Sequence, residues 1–505
     1  MTVGTPTRGT SVKVHIKVMA ALALATFAVA SCSSSSDGGS AATAAPGTAA
    51  STEAPATEAP STEAPTTDGP TTEAPATDAT DETPGVIGVP DEQPTIQAAV
   101  DAAQPGDLIL ISPGTYNEAV DVTTDELTIR GLDRNEVILD GNFQLDNAIR
   151  VVGANGVAIE NLTTQNYTKN GIFFTGVVGY RASYITSYRT GDYGIYAFDS
   201  MKGQLDHSYA SGSPDAGVYI GQCFPCDAVI DGFVSEYNGL GYSGTNSGGN
   251  LLIVNSIFRN NRAGIVPNSG SYELCYPERE TTIVGNVVYS NNQPDTPAID
   301  VAILAMGNGI LSAGGIRNDI ERNLVYDHDK TGIGLVPFLE DDPNDDMPTP
   351  DEWDIDCETQ KAMPPAEVDG SLLWDSQQNR VIGNVLSDNR AGDLAVASAG
   401  GDISTFDNCW ADNEFTTSAP AAIETLAPCD QSVATAGWDV DTLNVALWLV
   451  EAETRPKAQP YDTAPTPEPE PQENMPDAAT APAHPATDVP FEVDLDSITV
   501  PAKPA

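Results

Sequence analysis

Basic residues are scarce: 22 Lys and Arg stand against 72 Asp and Glu, a formal charge of -50 over 505 residues. So acidic a chain repels polyanions, which argues against DNA or RNA as a partner and suits cationic partners or calcium. Long apolar runs are missing too, since the stretch from Val18 to Ala30 is too short for a comfortable membrane span. Histidine is limited to four residues, which narrows the choice of general base. Among the seven cysteines no second closely spaced pair joins Cys223 and Cys226 to complete a zinc site. No βαβ pattern surrounds that pair either, so a structural disulfide fits it better than a redox centre.

Arg8, Lys13 and Lys17 precede the apolar stretch, the layout of an export signal. The stretch ends in Val29-Ala30-Ser31-Cys32, which resembles the lipobox of bacterial lipoproteins, where cleavage leaves a cysteine to be acylated. The resemblance implies that residues 1–31 are a removed signal peptide and that Cys32 carries lipid. It places the protein at the extracytoplasmic face of a bacterial membrane, where two or more acyl chains give stable anchoring.

Composition then divides the chain. Residues 32–90 are rich in Ser, Thr, Ala, Pro and acids, with Thr-Glu-Ala-Pro recurring, and predict a disordered stalk. Such a stalk would hold the body on the order of 40 Å from the membrane. Residues 455–505, with Pro467-Glu-Pro-Glu-Pro, read as a Pro-rich, acidic and mostly disordered tail. Between them, 91–430 form the folded body and 431–454 a helical cap. In that cap Asp441 is the expected N-cap, and Leu443, Leu447 and Val450 form a stripe over the C-terminal edge.

The body repeats. Ala148, Gly171, Gly194, Gly217, Gly241, Gly264, Gly309, Gly332 and Gly392 open successive strands at steps of 23, 23, 23, 24, 23, 45, 23 and 60. A period near 23 is one coil of a β-solenoid, with the long steps holding insertions. Asn161, Asn255, Asn286, Asn323 and Asn384 fall at turns, where stacked asparagines satisfy amides from coil to coil. A propeller would want longer blades and a leucine-rich repeat more leucine. Residues 95–103 carry an amphipathic helix pattern, followed by a strand at 108–111 and the turn Pro113-Gly-Thr-Tyr-Asn-Glu118. This order resembles the N-terminal cap and first coil of pectin-lyase-like proteins. The resemblance implies an all-β solenoid, a right-handed parallel β-helix plugged by a capping helix and flanked by disordered segments.

That fold hosts several chemistries, so the residues must choose among them. Gly114-x-Tyr116-x-Glu118 resembles the first motif of pectin methylesterases, but the later motifs with the second aspartate and the arginine are absent. Polygalacturonases need a "GHG" histidine, and only Asp341-Asp342 echoes their carboxylates. The "DPHE" of alginate epimerases is missing, with Asp327-His328-Asp329 a faint trace. Lyase chemistry needs only a base and charge neutralisation, so it stays open.

Coil arithmetic puts one insertion after the Gly264 strand, with Glu273, Cys275, Glu278, Arg279 and Glu280, and another after the Gly332 strand, with Asp341, Asp342 and Cys357. Both leave one edge and are expected to wall a groove, with Glu273, Arg279, Asp341 and Asp342 as candidate groove residues. Asp342-x-Asn344-x-Asp346 has the opening spacing of a calcium loop, yet Met347 replaces its glycine, so a solvated acidic loop fits better. With Cys32 assigned to lipid, six cysteines remain. The expected pairs are Cys409 with Cys429, Cys275 with Cys357, and Cys223 with Cys226.

Phe173, Tyr196, Tyr219 and Tyr242 recur at steps of 23 and alternate with apolar residues, so they are expected to face outward as a strip suited to sugar rings. The competing reading is a cross-coil stack that only stabilises the sheet, with the 24-residue step able to turn Tyr242 inward. His207 and Asp231 are placed in one column with Asn161 and Tyr184; a His207–Asp231 pair is conceivable there, but a polar turn ladder explains all four without catalysis. Two function classes follow. One binds, and in its fullest form processes, an envelope or extracellular polysaccharide; the other is a structural or adhesive protein whose β-helix is a rigid protein-binding spacer.

Overall fold

The structure, a computed structural model, describes residues 85–366, 368, 370–398, 403–430, 443–483, 487 and 490–504. The export signal, Cys32, the stalk before Gly85 and the expected N-cap Asp441 lie outside them. Among the described residues no helix is long and apolar enough to cross a membrane.

The body winds into a parallel β-helix with strands in three columns. The first runs from Val86–Val89 through Leu108–Ile111 to Cys409–Ala411, and the second from Gly114–Tyr116 to Val385–Asn389. Val157–Gln165 and Val178–Tyr188 bend through both, which joins the columns into one 20-stranded sheet. The third column is an 11-stranded sheet from Val120–Val122 to Ser418–Ala419. Strand alternation sends every second side chain inward. On the third sheet that row is Ile172, Ile195, Val218, Tyr242, Ile265, Ile310, Ile333 and Leu394, each at most 1% exposed. Each such aliphatic contributes roughly 1.5–3 kcal/mol of burial.

The glycine period has a steric cause. A Cβ on Gly194 would lie 2.4 Å from the carbonyl oxygen of Gly217, and one on Gly241 would lie 2.5 Å from that of Gly264. Coils pass so closely there that no side chain fits. The bend between the first two columns has a different cause. Asn161, Tyr184, His207, Asn255, Arg322 and Asp412 all hold φ between 49° and 56°, and Gly232, Gly285 and Gly383 share the left-handed region. Asn and Gly tolerate it with least cost.

Asparagines do stack, in more than one ladder. Asn286, Asn323 and Asn384 each donate Nδ2 to the Oδ1 of the next asparagine at 2.9–3.0 Å, and Asn413 ends the row by donating to Glu424 Oε1 at 2.8 Å. Asn255 does not belong: it sits one residue early, and Ser256 accepts from the Phe233 amide in its place. Asn161 instead donates to the Gly131 carbonyl. A second ladder runs Asn238, Asn261, Asn291, then through the ring of His328 to Asn389. His328 is therefore a neutral rung, with burial pushing its pKa down to about 4.

At the N-terminal end, Ile96–Ala102 is helical and buries Ile96, Ala99 and Val100 against the core. Thr95 Oγ1 accepts from the Ala98 amide, and the Glu118 carboxylate accepts from Ile96 and Gln97 at 3.1 Å each. Glu118 of the methylesterase-like turn is thus a helix cap. At the other end the short helix Ile423–Leu426 buries Ile423.

Two expectations about the C-terminal region are corrected. The helix Ala446–Thr454 lies against the side of the solenoid, not over its end: Leu443, Val445 and Trp448 pack on Leu311, Val336 and Ala397, while Leu447 and Val450 stay over 60% exposed. The stripe misjudged which turn of chain meets the body. The Pro-rich tail is not free chain either. Its described residues run along the outer faces of the first two columns, held by hydrogen bonds to Arg130, Arg134, Tyr188 and Arg322 and by apolar contacts at Val493, Leu495 and Ile498. Low hydrophobicity blocks a core of its own, but partners on the body supply what the segment lacks.

Candidate functional site

The outer face of the third sheet carries a row in register: Asp121, Arg150, Phe173, Tyr196, Tyr219, Ser243 and Val266. Tyr242 is absent from it. The 24-residue step between Gly217 and Gly241 puts Ser243 beside Tyr219 and turns Tyr242 into the core, where its hydroxyl meets Ser247 at 3.3 Å. A one-residue slip reverses the face. Tyr219 points outward but is closed off at 1% exposure, its ring lying over Gly221 and its hydroxyl donating to Glu273 Oε2 at 2.5 Å. Neither tyrosine forms an open strip.

What remains partly open is centred on Tyr196. Phe173 and Phe198 stack with it at centroid distances of 5.3 and 5.8 Å, with planes within 13° and 8°. Tyr193 stacks at 4.4 Å and Tyr219 supports it from below at 4.6 Å. Phe198, two residues on from Tyr196, escapes a search at the coil period. Strand alternation, which puts residues i and i+2 on one face, was the signal that could have found it.

Two carboxyl–phenol pairs edge this platform: Tyr219 with Glu273, and Tyr193 with Asp215 at 2.8 Å. Burial pushes the Glu273 carboxyl up to about 8, and the Asp215 carboxyl is likewise raised well above its ordinary range by burial. The phenols of Tyr193, Tyr196 and Tyr219 are raised as well, burial first and neighbouring acids second. At neutral pH the Glu273 carboxyl, raised to about 8, and the phenols keep their protons, so the site presents hydroxyl and carboxyl groups that donate and accept hydrogen bonds.

The two insertions meet each other instead of flanking a groove. Cys275 is bonded to Cys357, Ser271 donates to Glu340 at 2.9 Å, and Tyr276 packs edge-on against Trp374. Arg279 is 1% exposed, its guanidinium donating to the carbonyls of Cys275, Pro277 and Ile355 and lying 3.5 Å over the Phe224 ring. It ties one loop to the other, so it is no groove base. Asp341 accepts from Ser371 on a hairpin of Phe338–Asp341 with Ser371–Trp374, and Asp342 is exposed beside it. Only Glu273 of the four reaches the aromatic platform. Among the described residues no three His, Cys, Asp or Glu side chains form a metal-holding group, and Asp346 accepts from the Met347 amide while the Asn344 amide donates to Ser271. The disulfides are Cys223–Cys226, Cys275–Cys357 and Cys409–Cys429.

His207 has a carboxylate partner other than the expected one. Asp206 Oδ2 is 2.8 Å from its Nδ1, and Tyr184 stacks on its ring at 4.7 Å. Asp231 pairs with Asp206 across the sheet and falls one residue outside the His207 column. The hydrogen bond to Asp206 raises the His207 pKa above its ordinary value.

A family model described as right handed beta helix region matches residues 170–336. No curated protein matches the chain. Solved structures with a similar course include the A-module of mannuronan C-5 epimerase AlgE4 from Azotobacter vinelandii, at 14% identity and TM-score 0.40, covering 63% of this chain and 90% of that one. A rhamnogalacturonan lyase follows at 12% identity and TM-score 0.40, covering 78% and 97%. The Dettilon tailspike protein matches at 12% identity and TM-score 0.41, covering 65% and 62%. The family match over 170–336 and the strand register together show that the body of the chain is a right-handed parallel β-helix repeat.

Proposed function

We propose that this protein is a lipid-anchored extracytoplasmic β-helix that binds a neutral stretch of an envelope or extracellular polysaccharide on its third sheet. One observation carries the reading: Phe173, Tyr196 and Phe198 present near-parallel rings beside the hydrogen-bonded carboxyl–phenol pairs Tyr219–Glu273 and Tyr193–Asp215. Pyranose C–H faces pack on such rings, and sugar hydroxyls pair with such edges. Anchoring rests on the lipobox-like residues before Cys32. Detergent-solubilised full-length protein applied to an array of envelope polysaccharides should retain a pyranose polymer. Retention of none would overturn the binding reading, and unchanged membrane retention of Cys32→Ala would overturn the anchoring.

A further inference from the structure

The tail offers the observation that leads furthest. Residues 459–482 contain Pro460, Pro465, Pro467, Pro469, Pro471, Pro476 and Pro482. Between turns at Pro460–Ala464 and Asp477–Ala481, the stretch from Pro467 to Asn474 is extended and free of internal backbone hydrogen bonds, which leaves its carbonyl oxygens available. The body meets the segment's carbonyl oxygens with donors. Arg130 donates to Ala481 at 2.7 Å and to Pro482 at 2.8 Å, and Arg134 donates to Glu473 at 3.2 Å. Asn135 Nδ2 donates to Gln472 at 2.9 Å, Tyr188 donates to Thr466 at 3.1 Å, and Arg189 donates to Asp462. Two of the segment's amides are also bonded to the body: Gln472 donates to Asn135 Oδ1 at 2.8 Å and Met475 to Asn161 Oδ1 at 2.7 Å.

The face is built for this. Arg130 is fully buried and Arg134 is 2% exposed, although both leave the outside of the solenoid. Arg134 reaches across coils to the carbonyls of Ile185 and His207 while holding the segment. Arg130 is paired with the body's own Glu160 at 2.7 Å, while Arg134 feels the Glu473 carboxylate of the segment, so charge favours the segment at Arg134.

We infer that the outer face around Arg130, Arg134, Asn135, Asn161 and Tyr188 is a recognition groove for an extended, proline-rich acidic peptide. Its occupant is the chain's own segment 459–482, bound in cis. The groove reads main-chain oxygens, so it selects a chain shape and an acidic character more than a residue order. This site is separate from the aromatic platform and does not depend on it.

Hydrogen exchange on the full-length protein reads the occupancy directly. The amides of Gln472 and Met475 should exchange at least tenfold more slowly than in a free peptide of residues 459–482. Arg134→Gln, and separately Asn135→Ala, should remove most of that protection while strand amides keep theirs. A full-length Gln472→Pro/Met475→Pro variant, altered only in the segment, should bind the synthetic 459–482 peptide at least tenfold better than wild type does. Adding Arg134→Gln to that variant should undo the gain. Free-peptide exchange rates in wild type, protection that survives both body substitutions, or a proline variant that takes no peptide would each overturn the inference.

Discussion

Tyr196 and Tyr219 are ladder neighbours with ring centroids 4.6 Å apart, yet only Tyr219 is sealed, by a 2.5 Å hydrogen bond to Glu273. Truncating them should have different consequences. Tyr219→Ala removes a buried aromatic and strips Glu273 of its donor, an expected loss of about 3–5 kcal/mol of stability. Tyr219→Phe keeps the ring and should cost about 1–2 kcal/mol. Urea denaturation measures both, and a loss below about 1 kcal/mol for the alanine variant would show that the ring is not packed.

Stability should fall between pH 6.5 and 8. In the folded protein Glu273 holds its proton to about 8 and Glu278 to about 7, burial being the first cause for each, against 4.5 in the unfolded chain. Folded protein then binds more protons than unfolded protein in that window, so stability declines as pH rises and levels off above it. His207, raised by Asp206, acts in the same direction. His328 has the opposite sign, since its folded value of about 4 lies below 6.5, and its contribution is nearly complete by about pH 7.5, so it opposes the fall only at the low end of the window. Melting temperatures of wild type and of Glu273→Gln/Glu278→Gln across this range test the sign. The double variant should show the shallower slope.

His328→Asn should be tolerated, because an amide can replace the imidazole as a rung between Asn291 and Asn389. His328→Leu leaves both asparagines short of a buried partner, at about 1–3 kcal/mol for each group. Equal stabilities of the two variants would remove the ladder as an explanation for this residue.

Gly217→Ala should be destabilising. Its Cβ would lie 2.2 Å from Ser235 Oγ and 2.7 Å from Asn238 Nδ2, inside the second ladder. Overpacking of this kind costs about 1–3 kcal/mol. Gly176→Ala, where the same atom meets nothing within 4 Å, tests backbone strain alone at φ 64°. A variant series in which Gly176→Ala proves the more costly would contradict the steric origin of the glycine period.

The solenoid was legible because its constraints are periodic: the Gly171-to-Gly332 rows and the turn asparagines repeat whatever the insertions contain. The capping helix was legible from 95–103 for a similar reason, a single amphipathic face. Site geometry was less so. Tyr242 was misplaced by following its own 23-residue spacing across a 24-residue coil, and His207 was matched to Asp231 by the same arithmetic although its neighbour Asp206 holds it. Arg279 and Tyr219 look exposed in sequence because nothing local shows that a distant loop will cover them. The tail failed for a related reason: composition reports whether a segment folds alone, while Arg130 and Arg134, more than 300 residues away, decide whether it docks.

The platform itself is tested by the affinity of full-length protein for a polysaccharide found on the array, compared between wild type and Tyr196→Ala at pH 7 and constant salt. A partly exposed ring at the centre of a stacked contact should be worth about 1–2 kcal/mol of binding, roughly a five- to thirtyfold loss of affinity, with the strand core intact. Such a loss at a melting temperature within a few degrees of wild type is the expected result. Unchanged affinity in a folded Tyr196→Ala protein would contradict it and leave the aromatic cluster as a stabilising stack alone.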